Sequence, residues 1–275
     1  MTPCEKALWL ETLLDLPRRP VGIHFLITKE AYDAFPAVEP KNRMSYCTMV
    51  RKASQGIMQK AHLGHMACGG GAAALGLSEP TEEMKDGTRR LKQGAYLDLG
   101  VCRKMSKNMV YCCHKAYGVG IAPLGECDVE PDVVIIICNP FNAMRIAQGY
   151  AYRSGHLKDI CFSGMQAICQ ECTSRPFETD SINLSMMCSG TRMLAGWKKD
   201  ELGIGMPYHL LEQVIEGLKS TVNPLERNKE KEKIALRMEE RGLLGQLDIV
   251  MNKNYDDGCY RGGPAGKPGE KNRQL

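Results

Sequence analysis

The sequence predicts an α/β fold of the mixed α+β kind: a central, largely buried sheet flanked by helices, with a charged helical extension at the C-terminal end. Three observations predict it. Val133-Val134-Ile135-Ile136-Ile137-Cys138 is an unbroken, β-branched apolar run, the pattern of a strand buried on both faces. Asn139-Pro140 follows at once, an N-cap and a first-turn proline that start a helix. Tyr208 to Leu218 carries Leu211, Val214, Ile215 and Leu218 at helical spacing, an apolar stripe that needs a surface to cover it.

In chain order, Glu5 to Asp15 spaces Ala7, Leu10, Leu13 and Leu14 as a helix that Pro17 and Pro20 end. Val21 to Ile27 reads as a strand, and Ser45 to Gly56 as a helix with Cys47 in its first turn. Ala61 to Leu77 reads as an extended segment delivering Cys68, a glycine turn, and a short Ala-rich helix. A polar loop and helix over 80–95 and a strand from Tyr117 to Leu124 come next. After the helix begun by Asn139, the expected buried stripe is Phe141, Met144, Ala147 and Ala151. Ile182 to Met186 alternates as a strand that ends beside Cys188. Asn223-Pro224-Leu225-Glu226 reads as a fresh helix start, running to Gly242, and 256–275 as a mobile tail or docking arm. The domain boundary falls near 220: a cysteine-rich domain over 1–220 and an extension over 221–275.

Net charge is +4 over 275 residues, too mild to argue for nucleic acid, and most of the excess lies in residues 219–275. Met1-Thr2-Pro3-Cys4-Glu5-Lys6 does not open a signal peptide, and the longest apolar run, 133–138, is far short of a membrane span. The expectation is a soluble, cytoplasmic protein without a membrane span. The chain holds 13 cysteines and 16 methionines, a heavy oxidation load that suits an anaerobic source. An odd number of thiols in a reducing compartment points away from disulfides and toward soft-metal ligation.

The thiols divide by context. Cys68 precedes Gly69, Gly70 and Gly71, whose amides give a thiolate close backbone donors; the alternative is a small residue at a tight helix contact. Cys188-Ser189-Gly190-Thr191-Arg192 places Arg192 where it would hold an anionic substrate or offset cluster charge. A phosphatase loop needs five residues between Cys and Arg, and here there are three. Cys169-x2-Cys172 suits cluster ligands, half a zinc knuckle or a redox pair. Cys47 suits a thiolate at a positive helix end, or a buried small residue. Cys112-Cys113-His114 reads as core rather than metal, Cys138 as the end of a buried strand, and His62 and His65 as structural or supporting. Dinucleotide, P-loop and G-x-S-x-G signatures are missing from the sequence.

The ordered set of motifs resembles a family. Pro20-Val21-Gly22-Ile23 is followed by Tyr46-Cys47 with Ala53 and Gly56, then Cys68-Gly69-Gly70 with Ala74-Leu75-Gly76. Ile121-Ala122-Pro123-Leu124, Pro131-Asp132-Val133-Val134 and Asn139-Pro140 come next, then Cys188 to Arg192 and Asp200-Glu201-Leu202. Over about residues 5–220 this is similar to DUF169, a family of anaerobic bacteria and archaea. The resemblance implies a cytosolic, prokaryotic, oxygen-sensitive protein and no particular reaction. It also implies the family-like cysteines: Cys47, Cys68 and Cys188, with Cys169 or Cys172 as fourth.

These readings lead to one [4Fe–4S] cluster held by Cys47, Cys68, Cys188 and a member of the 169/172 pair, with Gly69 and Gly70 supporting it and Arg192 as the catalytic side chain. The expected function is a redox or Lewis-acid enzyme, an oxidoreductase or lyase of anaerobic metabolism acting on a small anionic substrate. The alternatives are an electron-transfer or cluster-bearing subunit with a redox partner protein, and a zinc-stabilised binding module. Self-association is compatible with each.

Overall fold

A computed structural model describes residues 1–252. Six strands form one sheet: β1 (Val21–Leu26), β2 (Gln59–His62), β3 (Gly118–Pro123), β4 (Val133–Cys138), β5 (Asn183–Ser185) and β6 (Leu202–Pro207). Their spatial order is β2-β3-β1-β4-β6-β5, and every neighbouring pair is antiparallel. The fold class is therefore the expected mixed α+β one. The helix started by Asn139 does not return the chain to a parallel neighbour, because β4 lies between β1 and β6, both antiparallel to it.

All six residues of β4 are fully buried. Val133, Ile135 and Ile137 join a cluster with Tyr46, Met49, Val50, Ile168 and Cys169. Val134, Ile136 and Cys138 alternate onto the opposite face. Helix Pro140–Ser154 packs over β4 and β6. The edges of the sheet are short, four residues in β2 and three in β5, which limits the unpaired backbone available to other chains.

Local chemistry explains most element starts. Thr2 and Glu5 make a reciprocal capping box ahead of helix Pro3–Leu13. Ser45 caps helix Tyr46–Ala53 through the Thr48 N–H, and Asn139 caps Pro140–Ser154 through the Asn142 N–H. Helix Leu210–Leu225 buries Leu211, Val214, Ile215 and Leu218 as expected. Its Gly217 meets Gly149 so closely that a Cβ there would sit 1.9 Å from the Gly149 carbonyl oxygen.

Three expectations are corrected. Phe141 and Met144 are exposed, and Ala143, Ile146 and Gly149 are buried instead. The Gly149–Gly217 contact sets the phase of that helix, and no large side chain fits there. Gly69, Gly70 and Gly71 are not a turn: they are the first half of helix Gly69–Ala74, with Cys68 at its N-cap. Pro224 does not start a helix but lies inside Leu210–Leu225, one residue before its end, where it leaves the carbonyl four residues back without its helical N–H donor. The next helix is Asn228–Glu240, after Arg227.

Two compact units divide the chain, Met1–Thr221 and a second beginning at Val222. In the second, Ile234, Met238 and Leu243 are buried, and the Lys231 ammonium donates to the Val250 carbonyl at 2.7 Å. The expected tail over 256–275 lies outside the described residues. Among the described residues no helix is long and apolar enough to cross a membrane.

Replacing Ile135 by Ala should cost about 2–5 kcal/mol in denaturant unfolding, while Leu236→Ala, at an exposed position, should change stability by less than about 0.5 kcal/mol. Burial also holds the His24 imidazole down at about 4. A histidine kept neutral in the fold stabilises fully above its ordinary value near 6.5 and loses that contribution as pH falls from there toward 4. Unfolding midpoints measured from pH 8 to 4 should drop over that window, and His24→Leu should flatten the drop.

Candidate functional site

Chain-distant cysteines converge at helix starts on one side of the sheet. Cys47 is the second residue of helix Tyr46–Ala53. Cys68 is the N-cap of Gly69–Ala74, and Cys188 the N-cap of helix Ser189–Leu194. Backbone N–H groups at such positions are free to meet a negative sulfur. The Thr191 N–H donates to the Cys188 sulfur at 3.3 Å. The Thr191 hydroxyl lies 2.9 Å from the Cys188 Sγ and donates to the Cys47 Sγ at 3.4 Å. These two legs bound the Cys47–Cys188 sulfur separation at about 6.3 Å.

Cys169 completes the group from an unusual element. Ala167–Ser174 is a π-helix, entirely buried, whose wider winding is shown by the Glu171 N–H donating to the Gln166 carbonyl five residues back. That winding carries residues three apart onto different faces, so Cys169 and Cys172 part company. The Cβ atoms of Cys169 and Cys68 flank Gly71, each 3.9 Å from where a Cβ on that glycine would stand. Cys172 faces the sheet: its sulfur is 2.8 Å from the Cβ position of Gly203, and its carbonyl oxygen 2.0 Å from that of Gly205. Only glycine at 203 and 205 lets the π-helix lie this close to β6.

Burial dominates the electrostatics of these thiols, and their neighbours add to it. Desolvation pushes the Cys47 thiol up to about 12; the Thr191 hydrogen bond opposes the rise, and Cys188 and Cys68 add to it. Burial holds the Cys169 thiol well above its ordinary value, with Cys47, Cys68 and Cys188 adding to the effect. Cys172 is raised too, by burial first and then by Glu171 and Cys47. No three of the sulfurs of Cys47, Cys68, Cys169 and Cys188 lie mutually within 4.8 Å, so their spacing is wider than a single bound ion sets.

A shell of hydrogen bonds fixes the supports. The Tyr46 hydroxyl meets the Thr173 hydroxyl at 3.0 Å, tying the Cys47 helix to the π-helix. Gln166 opens the π-helix in a left-handed conformation, φ 53°, and its amide donates to the Gly70 carbonyl at 2.9 Å. Its side-chain oxygen accepts from Arg90 at 2.9 Å. Met187, φ 68°, precedes Cys188; its N–H donates to Ser185, whose hydroxyl donates to the buried Glu171 carboxylate. Two non-glycine residues with positive φ beside the cysteines are strain that the surroundings must impose.

Gly69 is exposed and loosely surrounded, whereas a Cβ on Gly70 would press on the Gln166 amide at 3.3 Å. The Arg192 guanidinium donates to the carbonyls of Met186, Lys198 and Glu201, so it braces the Cys188 loop. Sequence reasoning passed over Thr191, Gln166 and Tyr46. Thr191 carried a weak signal, a hydroxyl three residues after an N-cap cysteine, whereas Gln166 and Tyr46 gain their roles only from the chain-distant contacts above.

Thiol accessibility gives a direct check. At pH 8 a thiol raised to about 12 is roughly 10⁻⁴ thiolate, so Cys47 should resist alkylation. Peptide mapping of metal-free protein treated with iodoacetamide should find the exposed Cys68 modified well before Cys47, Cys169 or Cys172.

Comparison with known proteins supplies a family. The uncharacterized protein MJ0308 of Methanocaldococcus jannaschii is 26% identical over 219 residues, covering 78% of this chain and 92% of that one. No solved structure matches. The family model of DUF169, described as uncharacterised ArCR, matches residues 9–217. That span includes all six strands and Cys47, Cys68, Cys169 and Cys188: the chain belongs to the DUF169 family.

Proposed function

We propose that the chain is an iron–sulfur protein that holds one [4Fe–4S] cluster through Cys47, Cys68, Cys169 and Cys188. The observation that supports this reading is that Thr191 links the sulfurs of Cys47 and Cys188 while the Cβ atoms of Cys68 and Cys169 flank Gly71. The donor set fits. Polynuclear clusters take cysteine thiolates, and hydrogen bonds to sulfur tune them. The Thr191 hydroxyl and N–H are such donors. Cys172, turned to the sheet, stays outside the ligand set.

The cluster would supply electron transfer, or Lewis acidity at an iron left open by one missing ligand. Four available thiols favour electron transfer, in an oxidoreductase of anaerobic metabolism acting on a small molecule or with a redox partner protein. Its setting would be the cytoplasm, where thiols stay reduced. Arg192 serves in this reading by holding the Cys188 loop rather than by touching substrate. The raised thiols mean that loading the cluster releases protons, so assembly should be favoured by rising pH.

Anaerobic purification or reconstitution should give a brown protein with absorbance at ~400 nm and about four iron and four sulfide per chain. Serine at 47, 68, 169 or 188 should each remove most of the iron, and Cys172→Ser should keep it. A chain that stays colourless after reconstitution, or one that loses iron with Cys172→Ser and keeps it with Cys169→Ser, would falsify the assignment.

A further inference from the structure

A second donor cluster lies apart from the four thiols. A ring nitrogen of His114, the Cys112 sulfur and a carboxylate oxygen of Glu178 all lie within 4.8 Å of one another. Cys112 is 7% exposed and His114 and Glu178 half-buried. The loop that carries the first two is tightly held. The Cys112 N–H donates to the Ala74 carbonyl at 2.9 Å, and Gly76, φ 72°, passes so near that a Cβ there would sit 2.2 Å from the His114 carbonyl oxygen. Glu178 comes from helix Arg175–Thr179, and its carboxylate accepts the Cys113 N–H at 2.9 Å.

The imidazole is the telling group. Its ring packs edge-on against Phe25 and Phe177, centroids 4.6 and 5.3 Å away, so its orientation is fixed. Its Nε2 is buried and makes no hydrogen bond. A buried polar nitrogen left unpaired is destabilising, and a ligand bound at that nitrogen would remove the penalty. A cavity of about 420 Å³, lined by Tyr111, Cys112, Cys113, His114 and Lys115 among others, opens beside the donors and gives access from solvent.

We propose that Cys112, His114 and Glu178 form a second metal site, for a divalent cation of the zinc class, with the cavity side left for water or a small ligand. One thiolate, one imidazole and one carboxylate are a borderline-soft set that zinc takes in tetrahedral form, and three protein ligands with an open fourth position are the catalytic pattern. Tetrahedral bonds of about 2.0–2.3 Å require ligand atoms roughly 3.3–3.8 Å apart, so donors already within 4.8 Å of one another need to close by at most about 1.0–1.5 Å. The site lies at the far end of helix Gly69–Ala74 from Cys68, since Cys112 binds that helix's last carbonyl.

Cobalt(II) titration of the metal-free full-length protein tests this, read by the visible bands of tetrahedral cobalt. The wild type should bind with those bands. Glu178→Gln and His114→Ala should each weaken binding at least about 100-fold, and Cys68→Ser should leave it intact. Circular dichroism confirms that each variant is folded, and the near-isosteric Glu178→Gln decides the matter if His114→Ala is not. Equal cobalt spectra in wild type and Glu178→Gln, or no tetrahedral bands in the folded wild type, overturn the proposal. Cobalt binding that depends on Glu178 in a protein that never takes up iron would sustain this site and sink the cluster; a brown protein with cobalt binding indifferent to Glu178 would do the reverse.

Discussion

The π-helix Ala167–Ser174 lies directly on β6, and everything at the candidate site depends on that contact. The sheet admits it because β6 presents glycine at 203 and 205, where a side chain would strike the sulfur and backbone of Cys172. With Cys172 pressed to the sheet, the wide winding turns Cys169 outward to Gly71 and Cys68. The same element receives the Tyr46 hydroxyl through Thr173, and through Glu171 and Ser185 it steadies the strained backbone before Cys188. One packing contact thus positions Cys169 and braces the segments that bring Cys47 and Cys188 to it.

That arrangement has a cost that a bound group would offset. Thiols in a desolvated, mutually repelling set resist ionisation, as the rise at Cys47 and Cys169 shows. The surroundings nevertheless supply donors suited to sulfur that carries charge: the hydroxyl and the backbone N–H of buried Thr191. Left-handed Gln166 and Met187 add strain at the same place. These features lie together around Cys47, Cys169 and Cys188, and the proposed cluster is the reading that draws on all of them.

Much of the fold was legible because its signals are local. The capping pairs at Thr2, Ser45 and Asn139, the apolar run of β4 and the stripe of Leu211 to Leu218 each act within a few residues. The misreadings arose where distant contacts override local preference. Phe141 and Met144 face solvent because Gly149 must face Gly217. The glycines after Cys68 read as a turn, yet Gly70 and Gly71 are buried within a helix. At the site, glycine context and helix starts singled out Cys47, Cys68 and Cys188, but the C-x2-C could not be divided, since a π-helix has no local sequence mark. Cys112-Cys113-His114 reads as core in the sequence because adjacent cysteines rarely share one ion, and Glu178 reaches Cys112 and His114 from a different element.

The central claim is that the four convergent thiols are a cluster site. Diffraction from anaerobically grown crystals at the iron absorption edge addresses it most directly. The account predicts one compact anomalous peak enclosed by Cys47, Cys68, Cys169 and Cys188, with Cys172 out of contact. Iron bound elsewhere, or these four sulfurs ordered with no iron between them in protein that carries iron, would contradict it.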